Sequence, residues 1–158
     1  SVEGIAANMK ILAGMLGCPG AARKAAEFYA GVPRTRAKPV KVYAELWDKP
    51  SMAVGGASFI NDLIKRAGGE NILAATAAEF PKIPAEEIAG GKPEVILLFY
   101  SPSGDFRKRP DFMMTPAGRN GRIYALSGSE LDCVLRPGPR TEKGVEIIAK
   151  YLKEAAWE

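Results

Sequence analysis

Ile5, Met9, Leu12 and Leu16 recur at three- and four-residue spacing, which places them on one face of a helix that Gly17 and Pro19 bring to an end. An alanine-rich stretch from Ala21 to Ala30 predicts a second helix, with Ala22, Ala25, Ala26 and Tyr29 along one side. Pro33 and the basic stretch Arg34 to Lys41 then read as a solvated connection. Val40 to Leu46 mixes β-branched and aromatic residues in a short run that predicts a strand. The Gly55-Gly56 pair and the segment Ser58 to Arg66 continue it as a loop and a helix, closed by Gly68-Gly69.

Farther along, Asn71 to Ala74 is expected to form a short strand, and Pro84 to open a short helix through Ala89 with Glu86 and Glu87 in its first turn. Val95-Ile96-Leu97-Leu98-Phe99-Tyr100 is apolar without alternation, the pattern of a strand covered on both faces. Arg122 to Leu126 predicts one more strand. Thr141 is expected to cap a last helix whose Val145, Ile148, Leu152 and Ala155 form a buried stripe. Strands alternating with helices predict an α/β fold: a Rossmann-like three-layer arrangement around a mostly parallel sheet of about four strands. In such a sheet ligands collect outside the carboxyl ends of the strands, which directs attention to the loops beginning near Trp47, Ala75 and Tyr100.

Composition narrows the chemistry. Nearly half of the 158 residues are apolar, enough for one substantial core. The 22 Lys and Arg exceed the 18 Asp and Glu too slightly, and too diffusely, for a nucleic-acid-binding face, so no nucleic-acid partner is expected. There is no histidine, which argues against most metalloenzymes and against Ser-His or Cys-His catalysis. A non-enzymatic role follows as the expectation, with no catalytic residue, metal site or cofactor assigned. Cys18 and Cys133 are far apart and form no metal or redox motif. No stretch approaches the roughly 20 apolar residues that a membrane-spanning helix needs, and the first residues lack the succession of a signal peptide.

The run Pro50 to Ile64, followed by Ala67-Gly68-Gly69-Glu70-Asn71-Ile72, resembles the second lobe of the helical-backbone (class III) substrate-binding proteins of ABC transporters. Ile83 to Ile88, Lys92 to Ile96, Asn120 to Tyr124 and Pro137-Gly138-Pro139-Arg140 agree with that resemblance in order and spacing. The family includes binders of ferric siderophores, haem and cobalamin held between two α/β lobes joined by a long helix. The resemblance implies that residues 1–32 comprise part of the connecting helix and the helix after it. Residues 33–158 would then be the carboxy-terminal ligand-binding lobe, with the amino-terminal lobe absent. It also implies capture of a small metal chelate, delivery to permease subunits, and a periplasmic or membrane-associated extracellular location. Membrane contact would come only through the permease or a lipid anchor on the missing amino terminus.

The same resemblance marks Glu86 as a carboxylate offered to permease arginines, although the helix dipole alone accounts for an acidic first turn. It places Phe80 and Met52 where cobalamin binders have ligand-facing aromatic residues. Both also have an ordinary reading as core residues. Position at the strand ends adds Trp47, Asp48, Tyr100 and Ser101, since Trp and Tyr offer flat area to a macrocycle and a tyrosine oxygen can ligate ferric iron. Arg107, Lys108 and Arg109 form a cationic cluster suited to carboxylates or an oxyanion, with Arg109 the candidate ligand contact, or else a solvated charge run. Arg140 is expected to fix a turn, with Arg136 able to reach the cleft. Two alternatives stay open: an oxyanion (molybdate-type) binder of the same fold, and an enzymatic or sensory domain acting on a small anion through Gly55-Gly56, a loop with neither GxGxxG nor GxxxxGK[ST].

Overall fold

The computed structural model describes residues 1–21, 23, 24, 27 and 39–154. Helix α1 spans Val2–Met15, with the Ser1 side chain accepting from the Gly4 amide at its start. The second helix expected from Ala21 to Ala30 falls largely outside the described residues. Then come β1 (Val40–Asp48), β2 (Ser51–Ala53), α2 (Phe59–Arg66), β3 (Gly69–Asn71), α3 (Ala85–Gly91) and β4 (Val95–Leu98). A 3-10 turn (Phe106–Lys108), α4 (Pro110–Met113), α5 (Pro116–Arg119), β5 (Ile123–Ala125), α6 (Ser129–Leu135) and α7 (Thr141–Glu154) complete the order.

The five strands form one sheet. β1 pairs with β4 in parallel on one edge, and on its other edge with β3 in parallel near its start and β2 in antiparallel near its end. β4 pairs in parallel with β5. The sheet is therefore four strands wide and parallel apart from the short β2 return, a mixed α/β architecture of the expected class. Its alternating side chains split between two cores. Val42, Ala44, Val95, Leu97 and Phe99 pack with α2, α7 and Val134 of α6, and Val2 of α1 joins them. Tyr43, Ile96, Leu98 and Ile123 pack instead with Ile88, Phe112 and Ala117 of the opposite layer. Cover on both faces is why the 95–98 run carries no polar residue.

Several local expectations change. The strand expected at Asn71 to Ala74 ends at Asn71, because that side chain turns the backbone: its Oδ1 accepts from the Leu73 amide and its Nδ2 donates to the Val54 carbonyl. In α1 the buried positions are Val2, Ala6 and Ala13, while Leu12 and Leu16 are exposed and Ile5 and Met9 half-buried. The small residues carry the contact. Thr141 begins α7 with a hydroxyl that reaches backward, donating to the Gly138 carbonyl at 2.7 Å. Val145, Ile148 and Leu152 form the buried stripe as expected, and Ala155 lies outside the described residues. The hairpin to β2 and the short helices α4, α5 and α6 were not expected from the pattern. Among the described residues, no helix is long and apolar enough to cross a membrane.

Candidate functional site

The parallel strands β1 and β4 end side by side, and the chain leaving β4 folds back over that end through the 3-10 turn before descending into α4. Between them lies an open cavity of about 330 Å³, bounded by Asp48, Tyr100, Ser103, Phe106, Arg109 and Asp111. Trp47 precedes the cavity-lining Asp48 and is 55 % exposed, its ring centroid 6.4 Å from that of Tyr100 at the rim. The indole Nε1 donates to the Lys49 carbonyl at 3.1 Å, which leaves the ring face as the available surface.

Beneath this rim lies a group that the sequence reading passed over. Glu45 is fully buried, four residues after a lysine that is exposed. A carboxylate in such a place requires partners. Its Oε2 accepts from the Tyr43 hydroxyl at 2.8 Å and the Ser51 hydroxyl at 2.9 Å, and its Oε1 from the Tyr100 hydroxyl at 2.7 Å. Arg109 closes the set with a two-pronged contact, Nη1 to Oε1 at 2.5 Å and Nη2 to Oε2 at 3.2 Å. Asp111 binds the outer edge of the same guanidinium, through Nη2 at 2.6 Å and Nε at 3.2 Å. The guanidinium also sits 3.8 Å from the centre of the Phe112 ring.

The electrostatics follow from this geometry. Burial pushes the Tyr43 hydroxyl well above its ordinary value, and the Glu45 charge adds to the shift. Tyr100 is raised by burial and by its bond to Glu45. Burial opposes the charge of Arg109, yet its bonds to Asp111 and Glu45 raise it further above the ordinary arginine range. Both phenols stay protonated at neutral pH, so Tyr100 acts as a hydrogen-bond donor and a ring.

The other candidates spread around this centre. Asp48 is half-buried on the cavity wall and Ser101 is exposed just after Tyr100. Met52, half-buried, pairs across the hairpin with Trp47 and bridges on its other side to Lys82. Phe80 is 45 % exposed in the segment that runs along this edge, where Ala53 donates to the Pro81 carbonyl and Gly55 to that of Glu79. Glu86 is exposed in the first turn of α3. That turn follows Lys82, the partner of Met52, and the helix then runs back to the start of β4, so Glu86 lies toward the same end of the sheet as Trp47 and Tyr100. Arg107 and Lys108 face solvent, Lys108 bonded to Asp105 at 2.9 Å. Arg136, just after α6, pairs with Asp132 of that helix, and Arg140 is exposed.

The glycine loop holds no anion cradle. The Gly55 and Gly56 amides already donate to the carbonyls of Glu79 and Thr76. A Cβ at either position would fall about 2 Å from a backbone oxygen, at 2.0 Å from Ala78 and 2.1 Å from Ala74 respectively. Close approach of the 74–79 segment is what requires these glycines. The signal for Glu45 was a period of two: Tyr43 and Glu45 share a face of a strand whose neighbour is apolar throughout.

Comparisons with known proteins bear on the family and the fold. A family model described as periplasmic binding protein matches residues 1–129. A vitamin B12-binding protein of Vibrio parahaemolyticus is 28% identical over 160 residues, covering 97% of this chain and 57% of the relative. One from Vibrio campbellii is 26% identical with the same coverage. The chain thus spans 57% of the length of these relatives. Among solved structures, the periplasmic haem-binding protein RhuT of Roseiflexus is 25% identical with a TM-score of 0.79, covering 99% of this chain and 64% of that one. The periplasmic vitamin B12-binding protein BtuF of Vibrio cholerae, at 24% identity and TM-score 0.79 over 100% of this chain and 64% of the other, shares the fold. The relatives are binding proteins, and the chain belongs to the periplasmic binding protein family.

Proposed function

We propose that this chain supplies half of the ligand cleft of an ABC-importer substrate-binding protein that captures a metal chelate and hands it to the permease. Residues 33–158 act as the carboxy-terminal lobe, residues 1–32 as the connecting helix and its successor, and a further lobe of the parent protein closes the cleft. The cargo is a ferric siderophore, cobalamin or haem. The observation that carries this reading is the open cavity at the carboxyl ends of β1 and β4, with Trp47 half-exposed beside Tyr100 at its rim. Flat aromatic area with nearby carboxylate and hydroxyl groups suits a macrocycle with polar edges. The relatives that bind vitamin B12 or haem support the same class of ligand.

Trp47, Asp48, Met52, Phe80, Tyr100 and Ser101 contact the cargo, Arg109 forms the wall behind them, and Glu86 docks on permease arginines. Exposure of Glu86 at the cleft end of α3 supports that docking role. The protein works outside the cytoplasmic membrane, free in a periplasm or held by a lipid.

Tryptophan-fluorescence titration of the parent protein with cyanocobalamin, hemin and ferric siderophores tests the reading, with the present chain alongside. One chelate is expected to quench saturably, and more weakly with this chain because half of the contacts are gone. Absence of quenching by the whole panel would overturn the metal-chelate assignment. Glu86→Arg is expected to lower import into reconstituted vesicles while leaving ligand affinity unchanged.

A further inference from the structure

Arg109 carries five N–H donors, and all five are occupied within the protein. Nε donates to Asp111, Nη1 to Glu45 and to the Tyr100 hydroxyl at 3.3 Å, and Nη2 to Glu45 and to Asp111. Two carboxylates against one guanidinium leave this buried group with a net charge of −1, and the Asp48 carboxylate stands on the same cavity wall. An anionic group arriving in the cavity therefore finds the guanidinium in view, 23% exposed at the side chain, but without a free donor. Lys49, the other basic residue at the cavity, is an exposed and well-hydrated ammonium that offers no fork.

We propose that Glu45 and Asp111 are specificity-determining residues. They hold the Arg109 guanidinium inside the protein, so that this half of the cleft takes a neutral or cationic chelate surface in preference to a carboxylate-bearing one. The inference rests on the cavity being the ligand cleft. Glu45 and Asp111 act through Arg109 and need not touch the ligand. The arrangement also separates two roles that a basic loop can play. Arg107 and Lys108 sit in the same run and reach solvent, yet Arg109 turns inward because Glu45 awaits it at the end of β1 and Phe112 supports its flat face.

The test uses the full chain and two kinds of probe. Inorganic phosphate is titrated into ¹⁵N-labelled protein while the Arg109 Nε–Hε resonance is followed. The resonance is expected to stay in place in the parent sequence and to shift saturably in Asp111→Asn, which opens the outer edge of the guanidinium. Glu45→Gln, of equal size, serves as the second variant should the first fold poorly. Hemin and its dimethyl ester, the same macrocycle with and without carboxylates, are then compared by tryptophan quenching. The variants are expected to move the preference toward hemin by about tenfold, the scale of one charge-assisted hydrogen bond. A gain of anion binding cannot come from simple loss of structure. Saturable phosphate binding by the unsubstituted Arg109 site, or an unchanged hemin-to-ester ratio in folded variants, would overturn the proposal. If neither macrocycle binds any version, haem is excluded as the cargo, while the phosphate titration still decides whether Arg109 is withheld.

Discussion

Trp47 and Tyr100 leave the ends of two neighbouring parallel strands and bring their rings to 6.4 Å at an interplanar angle of 44°. Tyr100 is nearly buried and anchored through its hydroxyl, whereas Trp47 is more than half exposed. One ring is thus a fixed support and the other the surface it presents. Trp47→Ala is expected to weaken chelate binding by about tenfold. Because so much of the ring faces solvent, the cost to stability should stay below about 1 kcal/mol. The variant keeps Trp157 as its one tryptophan, so its quenching cannot be compared directly with that of the parent sequence, and calorimetric titration set beside urea denaturation provides the check.

Alkaline pH should expose the Tyr43–Glu45 contact. Burial raises the folded-state value of Tyr43, so the native protein keeps a proton that the unfolded chain releases near pH 10. The stabilisation is complete below that pH and is lost as pH rises above it toward the folded value. Between about pH 10 and 12, stability is expected to fall less steeply in Tyr43→Phe, by up to about 1.4 kcal/mol per pH unit for this one proton. Urea midpoints measured across that range give the slope directly.

Gly56→Ala should be far more damaging than a single methyl group suggests. The added carbon would meet the Ala74 carbonyl oxygen at 2.1 Å and that of Thr76 at 2.8 Å, and both belong to backbone. The expected loss is about 3 kcal/mol, at the upper end for overpacking. It should be accompanied by faster amide exchange in the segment carrying Phe80. Gly138→Ala, where nothing lies within 4 Å of the added carbon, is the matched control.

Arg66 should prove to be the fastening of α1. Its side chain is buried between Glu3, which it contacts closely, and Asp62, which also accepts from the Val2 amide at 2.7 Å. Arg66→Ala leaves the half-buried Asp62 without its cation and is expected to cost about 3 kcal/mol. Hydrogen exchange in α1 should rise more than in the sheet, because α1 otherwise relies on the small contacts of Val2, Ala6 and Ala13.

Much of the architecture was legible because periodicity reports burial. A strand such as Val95 to Leu98 with no polar residue has to be covered on two sides, and it is. The strand-end positions Trp47, Asp48 and Tyr100 were legible for a related reason, since a parallel sheet gathers the residues that follow its strands. In α1 the apolar stripe showed the helix but not the face it would bury. Leu12 and Leu16 match a helical face, but α1 approaches α2 through Val2, with Ala6 and Ala13 buried on the same side, and no local pattern states which face a neighbour will cover.

Sequence alone determined the class of fold, the alternation of layers and which residues gather at the carboxyl end of the sheet. These depend on side-chain periodicity, glycine and proline, which act within a few residues. Tertiary structure alone decided that Glu45 is buried and that Arg109, rather than Arg107 or Lys108, turns inward to meet it across 64 residues. A charge in a sequence carries no sign of its surroundings: whether it is solvated surface or a paired interior group depends on which partners the fold brings within hydrogen-bonding distance, and those partners arrive from distant strands and loops.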